Sequence, residues 1–345
     1  MTNGVRISVV IPMYNGADRI VKCIDSLDDQ DCGFQYEVLI VDDCSTDESA
    51  SLVESYIRDL KHGESFRLIR SPQNGRAGAA RNIGIRESKG HYILFNDQDD
   101  YVDRKCLRVL WENSQDGDID VVSCSVMDRN GIPYRRPHIG SGLRLTEDER
   151  KAIMSRYGYV FASLIKRSLL TDNDLRFPEN LLFEDCLFNV GVIACADTIR
   201  VIDDVLYYRE DDQNSQTASF TPKKLSDRID AVKFYLDNFR DKAALMPYDT
   251  EVRSIAFYYI YLSCMLYLMA IPNLYSDALF DRCLTEGKAL NISWKEVLDR
   301  ETGLSKPILL LLRQIYYRPA IARPLRLCGT TMYRLKKAVK KARKR

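Results

Sequence analysis

Four apolar runs in the first hundred residues, each ending in a polar cluster, restrict this chain more than any other feature. Arg6 to Pro12 holds Ile-Ser-Val-Val-Ile-Pro, a β-branched run of the kind buried on both faces of a sheet. It stops at Tyr14-Asn15-Gly16, and Ala17 to Leu27 then spaces Ile20, Ile24 and Leu27 as a helix does. Tyr36 to Val41 is a second buried run, ended by Asp42-Asp43-Cys44-Ser45-Thr46-Asp47. Ser45 with Glu48 three residues on reads as a capping box and predicts a helix to about Leu60. Phe66 to Arg70 is a third strand, followed by a small-residue helix over Ala79 to Glu87. The fourth, Tyr92 to Phe95, runs into Asn96-Asp97-Gln98-Asp99-Asp100. Strands alternating with helices predict a parallel doubly wound sheet, whose ligands bind beyond the carboxyl ends of the strands. Tyr14 and Asn15, Asp42 and Asp43, and Asp97 and Asp99 all fall at such ends, so three strand ends line one cleft.

Three carboxylates at the end of a buried strand repel one another and call for a counter-charge. A divalent metal carrying a diphosphate supplies one. An acidic loop by itself is equally a plain polar exit from a sheet.

Further along, Leu107 and Trp111 mark an amphipathic helix, and Asp120 to Met127 a fifth strand. Residues 128–149 read as a variable surface loop in preference to an acceptor-facing one, although Tyr134, Arg135, Arg136 and His138 lie in it. Tyr159 to Ile165 predicts another strand, with Lys166-Arg167-Ser168 entering a short helix. Glu184 and Asp185 stand at the start of an apolar helix, where helix N-terminal charge explains acids without any chemistry. Ile199 to Val205 and Leu206 to Arg209 close the sheet, and from about Pro222 the pattern is helical. Ser254 to Tyr275 is uncharged and approaches the ~20 residues of a membrane span. Its five Tyr, with Ser263, Pro272 and Asn273, favour a buried core or homo-oligomer helix.

The charge is split. Glu301 is the last acid, and thirteen Lys and Arg follow from Lys306 onward, so the net +1 divides into +13 on the tail and −12 on the rest. Such a body opposes nucleic acid. Tyr333 to Arg345 spaces Leu335, Ala338, Val339 and Ala342 helically among eight basic residues, which favours an anchor on the inner membrane surface at ~1 kcal/mol per basic residue over a disordered basic end. Ten scattered Cys without a Cys-x-x-Cys pair, and the expected lack of a signal peptide, predict buried thiols in a reducing cytoplasm. Three His exclude a His-rich metal site.

Taken in order, Val9 to Gly16, Val41 to Asp47, Ala79-Ala80-Arg81-Asn82-Ile83-Gly84 and Ile93 to Asp100 resemble family 2 glycosyltransferases of the GT-A fold, over about residues 5–210. Two positions depart from the family: Cys44 stands where Gly is usual, and Gln98 where Ser or Ala is. The resemblance implies an α/β GT-A domain, Rossmann-like with a doubly wound mixed sheet, over 1–220. Its nucleotide-sugar half is about 1–103 and its acceptor half about 104–220; a helical C-terminal region, 221–345, ends in the basic tail. It implies a nucleotide-sugar site from Pro12, Tyr14, Asn15, Asp42, Asp43, Arg81, Asp97, Gln98 and Arg209. Tyr14 would stack on the base, and Asp43, less readily Asp42, would accept from a uracil-type imide. Arg81 would meet the diphosphate or brace the acidic loop, and Asp97 would touch the ribose. Asp99, with Asp97, would hold Mn²⁺ or Mg²⁺, with no His after Asp185 to join them. Asp185 would be the general base, supported by Glu184, and Arg209 a phosphate contact. The implied reaction is inverting transfer from a UDP-type sugar to a hydroxyl of a cell-surface polysaccharide, teichoic acid or lipid-linked glycan. A nucleotidyltransferase would need a Gly-rich loop with a Lys or Arg after the first strand. A sugar-nucleotide-binding scaffold is opposed by the presence of Asp97, Asp99 and Asp185.

Overall fold

Every residue of β1 (Ile7–Met13) is buried, as its β-branched run requires, and the first unit is built outward from it. The structure, a computed structural model, describes residues 4–128, 130–134, 144–154, 160–210, 220–299, 304–327 and 335. Contacts divide the chain into Met1–Ala218 with Lys242–Leu245, and Ser219–Asp241 with Met246–Arg345.

In the first unit, α1 (Ile20–Asp28) leads to β2 (Tyr36–Asp42), α2 (Ser49–Tyr56) to β3 (Phe66–Arg70), and α3 (Arg76–Glu87) to β4 (Tyr92–Phe95). These strands pair in parallel in the order β3-β2-β1-β4, with Ile7 opposite both Tyr36 and Tyr92. The chain continues through β5 (Tyr101–Val102), α4 (Cys106–Glu112), β6 (Val121–Met127), β7 (Pro133–Tyr134), α5 (Glu147–Met154), β8 (Ser163–Lys166), α6 (Arg167–Asp172), α7 (Phe188–Cys195) and β9 (Ile199–Tyr208). Here the sheet becomes mixed. β8 lies antiparallel between β4 and β6, β9 runs parallel to β6, and the full order is β3-β2-β1-β4-β8-β6-β9-β5. Periodicity reports burial of a strand, not its direction, so the residue pattern predicts only the helix-linked parallel half, while the mixed sheet that the resemblance implies is observed.

Several local expectations change. Ser45 does not cap α2: its Oγ accepts the Asn15 N–H at 3.0 Å, and Asp47 Oδ1 accepts the Ser49 N–H at 3.0 Å. Asp47, two residues nearer the helix, satisfies its orphan donor, and the Ser is spent on joining two loops. The helix ends at Tyr56 and passes into a 3₁₀ turn over Ile57–Asp59. β9 is one strand where two were expected. Glu184 and Asp185 sit in a turn before α7, not on its first residues, so helix capping does not account for them.

The second unit is helical: α8 (Pro222–Phe239), α9 (Asp249–Phe257), a π-helical stretch over Tyr258–Ser263, α10 (Cys264–Ala270), α11 (Asp277–Ala289), α12 (Trp294–Asp299), α13 (Lys306–Tyr317) and α14 (Ala322–Leu327). Met246–Ala270 forms one helix long and apolar enough to cross a membrane, and 78% of its most apolar window is buried inside the protein. Tyr261 explains how an aromatic-rich helix is accommodated there: it is fully buried and its hydroxyl donates to the Leu312 carbonyl at 2.8 Å.

Candidate active site

The acidic loop is shaped by groups that the sequence hides. β4 ends at Phe95, and the Asn96 N–H makes a last bond to the Val10 carbonyl at 3.0 Å. Asn96 is fully buried, and its Nδ2 bonds back to the Asp97 carbonyl at 3.0 Å, which curls the chain off the sheet. Asp100 then turns inward. Its carboxylate accepts the buried Tyr207 hydroxyl at 2.8 Å and the Glu210 N–H at 3.0 Å. The same Tyr207 oxygen accepts the Asp97 N–H at 3.1 Å, so the end of β9 straps the loop at two points. Burial, then repulsion from Asp97 and Asp99, pushes Asp100 up to about 8. Asp100 is therefore structural, although in sequence the three acids look alike. Asp99 is half-buried and pushed up to about 6 by burial and then by Asp97, with Arg19 and Arg209 opposing the shift.

At the neighbouring strand ends, Pro12 is buried opposite Val41 and Tyr14 is half-buried. Asn15, at φ +46°, accepts the Thr46 N–H at 2.8 Å and joins this turn to the one after β2. Asp42 is buried and closes its own turn by accepting the Ser45 N–H at 3.1 Å. Asp43 is also buried; its Oδ1 accepts the Gly75 N–H at 2.8 Å while its Oδ2 has no hydrogen-bond partner, and burial raises its pKa. Cys44 adopts φ +59°, in the left-handed region where glycine is at ease, and its thiol donates to the Ser71 carbonyl at 3.3 Å. Gln98 faces this loop. Its Oε1 accepts the Tyr14 N–H at 3.0 Å, and its Nε2 donates to the Tyr14 carbonyl at 3.1 Å.

α3 brings in the remaining acids. Arg81, its side chain only 5% exposed, donates through Nη2 to Asp97 Oδ1 at 2.8 Å and through Nη1 to Glu184 Oε1. Burial alone would lower its pKa, but Asp97, Glu184 and Asp185 overcome that and hold the guanidinium charged. Of the two sequence readings of Arg81, the geometry is that of the brace. Asn82 holds the same segment by accepting the Phe177 N–H and donating to the Phe177 carbonyl, both at 2.9 Å. A Cβ on Gly78 would overlap the Pro178 carbonyl, so only glycine lets the segment lie this close to the helix. Phe183 is at φ +63°, a conformation that costs a non-glycine residue about 1–2 kcal/mol, immediately before Glu184. The result sets Asp185 beside Arg81, Glu184 and Asp97. It is half-buried, and burial followed by Glu184 pushes it up to about 7.

Arg209 follows β9, half-buried, with its guanidinium 5.4 Å from the Phe161 ring centroid. Arg81, Asp97 and Glu184 are thus directly joined, Gln98 joins Tyr14, and Asp42 and Asp43 line the next strand end. Among the described residues no group of three or more His, Cys, Asp or Glu converges to hold a metal ion. The sequence reading counted Asp100 among the acids of the loop and quoted Asn82 in a motif, but gave neither of them, nor Tyr207, a structural role; the polar Asn after Arg81 and the Tyr-Tyr ending β9 were the available signals. Arg135, Arg136 and His138 lie outside the described residues, as does all of the Tyr333–Arg345 tail except Leu335.

Comparison with known proteins agrees with this fold. Residues 8–173 match the model of Glycosyl transferase family 2. The chain is 32% identical over 220 residues to the uncharacterized glycosyltransferase EpsJ of Bacillus subtilis, covering 61% of this chain and 62% of that one. It is 31% identical over 209 residues to the poly(ribitol-phosphate) beta-N-acetylglucosaminyltransferase TarS of Staphylococcus aureus, covering 59% of this chain and 35% of TarS. The chain therefore spans about a third to three fifths of these curated relatives. In fold it is similar to the crystal structure of S. aureus TarS 1-349 in complex with UDP-GlcNAc, with TM-score 0.65 and 21% identity over 99% of this chain and 92% of that one. The mixed sheet with its acid-ended central strands is a GT-A fold, and residues 8–173 within it match glycosyl transferase family 2.

Proposed function

We propose that this protein transfers a sugar, with inversion, from a UDP-sugar to a hydroxyl of a cell-surface glycopolymer. The observation that carries the reading is the ion network from Asp97 through Arg81 to Glu184, which holds the acidic loop against the Glu184-Asp185 pair. A donor end and an acid-base end are needed within one substrate's reach, and a buried guanidinium between them keeps that distance constant. Asp185, raised to about 7, takes the acceptor hydroxyl's proton as that oxygen attacks C1 of the sugar. The leaving nucleoside diphosphate departs on the opposite side; Tyr14 stacks on its base, Asp43 accepts from it, Asp97 meets the ribose and Arg209 the phosphates. The UDP class is supported by the crystal structures of S. aureus TarS 1-349 in complex with UDP-GlcNAc and with UDP, to which the fold is similar. A teichoic-acid-like acceptor is supported by the poly(ribitol-phosphate) beta-glucosyltransferase of Bacillus spizizenii, 31% identical over 239 residues, covering 66% of this chain and 37% of that one.

Asp99 and Asp97 are the residues that would hold Mn²⁺ or Mg²⁺. Their fit rests on Asp99, a carboxyl pushed up by burial and by Asp97, whose charged form a cation would favour. When bound, the cation offsets the charge of the leaving diphosphate. Beyond these two carboxylates, its further contacts would be water, phosphate or another carboxylate. In calorimetry, Mn²⁺ is expected to tighten UDP binding about tenfold or more in the wild type and to have no effect in Asp99→Asn. Tight metal-free binding that Asp99→Asn leaves intact would sink this role, and binding without any sugar transfer would favour the scaffold.

The second unit suits work at a membrane face. α13 exposes Leu310 and Tyr317 and carries Arg313 over the Tyr317 ring, and no acid follows it in the chain. We infer peripheral binding to an anionic cytoplasmic leaflet. Vesicles rich in anionic lipid should co-float with the protein at low salt and release it as salt is raised to about 0.5 M; equal binding to neutral vesicles would refute the electrostatic anchor.

A further inference from the structure

The residue between the two cleft aspartates does more than separate them. β1 and β4 pair only as far as Val10 opposite Phe95, with one further bond from Asn96 to Val10. Beyond that point β1 runs on through Met13 with no further backbone pair to the acidic loop, which is otherwise tied to α1, where Cys23 Sγ donates to the Asp97 carbonyl at 3.7 Å. Gln98 supplies the missing rung from its side chain. Its amide accepts from the Tyr14 N–H and donates to the Tyr14 carbonyl, as a neighbouring peptide group would. Gly16 makes room for it, since a Cβ there would overlap Gln98 Oε1. A Ser or Ala at this position is too short to reach either partner.

We propose that Gln98 is a positioning residue that ties the Tyr14 loop to the Asp97–Asp99 loop, so that the base and the metal-diphosphate ends of a donor bind cooperatively. The proposal rests on the glycosyltransferase reading. If the two loops move as one, ordering either by its part of the ligand orders the other without further entropic loss. If they move separately, each part of the ligand bears its own ordering cost.

Two readouts test it on the full chain. The first is hydrogen exchange at Tyr14, whose N–H has Gln98 as its acceptor. Gln98→Ala is expected to speed exchange in the peptide holding Tyr14 about tenfold or more, with or without any nucleotide. The second is the factor by which Mn²⁺ tightens UDP, which should fall at least about fivefold in Gln98→Ala. Gly16→Ala provides an independent route, because it displaces the flexible end of Gln98 and should reproduce both changes. Adding it to Gln98→Ala should then change neither readout further. Unaltered Tyr14 exchange in both single variants overturns the tie. Faster exchange with an unaltered Mn²⁺ factor reduces Gln98 to a structural clip and overturns positioning. If the wild type binds no nucleotide, the glycosyltransferase reading fails and cooperative donor binding with it, and exchange alone decides whether the loops are joined.

Discussion

Asp185→Asn is expected to lower kcat by about 10³-fold while leaving UDP affinity within about twofold. The amide keeps the shape and most of the packing but cannot take the acceptor's proton. Its effect on stability should run the other way. Asp185 is raised to about 7 by burial and by Glu184 beside it. The folded state therefore holds a proton there between about pH 4 and 7 that the unfolded chain releases, and stability at this site falls as pH rises through that window. Above it, the wild type holds an unfavourable charge that Asn removes. At pH 8 the variant should melt no lower than the wild type, which separates loss of the base from loss of the fold. In the wild type, log kcat/KM should rise with unit slope up to about pH 7 and then level off. A variant with wild-type turnover, or a profile flat from pH 5 to 8, would move the base elsewhere.

Arg81→Met should be the most damaging single change in the first unit. It leaves Glu184 and Asp97 facing each other without their shared cation, and the side chain it replaces is 5% exposed against 12% for Glu184 and 29% for Asp97. Removing one partner from such a buried network costs on the order of 3–5 kcal/mol, the upper end being reduced here because Asp97 is partly solvated. Denaturant melts at pH 7.5 would read this as a lower midpoint with an unaltered slope. Transfer should fall at least about 10²-fold in material that remains folded, because the acidic loop and the base segment lose their common anchor. Arg81→Lys retains charge without the two-pronged geometry and should recover stability better than activity. Full recovery of both in the Lys variant would mean that charge alone matters and that the fork does not set the cleft.

These two residues also show how much was legible in advance. Only the family resemblance pointed to Asp185 within its acid pair; the expected helix start proved to be a turn, preceded by a Phe177–Pro178 stretch held against α3 by Asn82 and permitted by Gly78. Arg81 could be placed near the acidic loop, but its simultaneous grip on Glu184, 103 positions away, belongs to tertiary packing. Asp97, Asp99 and Asp100 were indistinguishable as a run of acids. Only the arrival of Tyr207 from β9 makes Asp100 a strut and leaves Asp99 facing the cleft with a raised pKa.

What the sequence determined by itself was the parallel half of the sheet and the location of the polar groups at its strand ends. Continuous β-branched burial and short polar stops are local properties, and the motifs they carry marked the family. The direction of β8, the strap from β9, the orphaned oxygen of Asp43 and the tie from Gln98 to Tyr14 were decided only by the folded chain. Each depends on partners far apart in sequence. Burial, hydrogen-bond satisfaction and electrostatic shift belong to such pairs of groups, and pairs form only when the strands assemble.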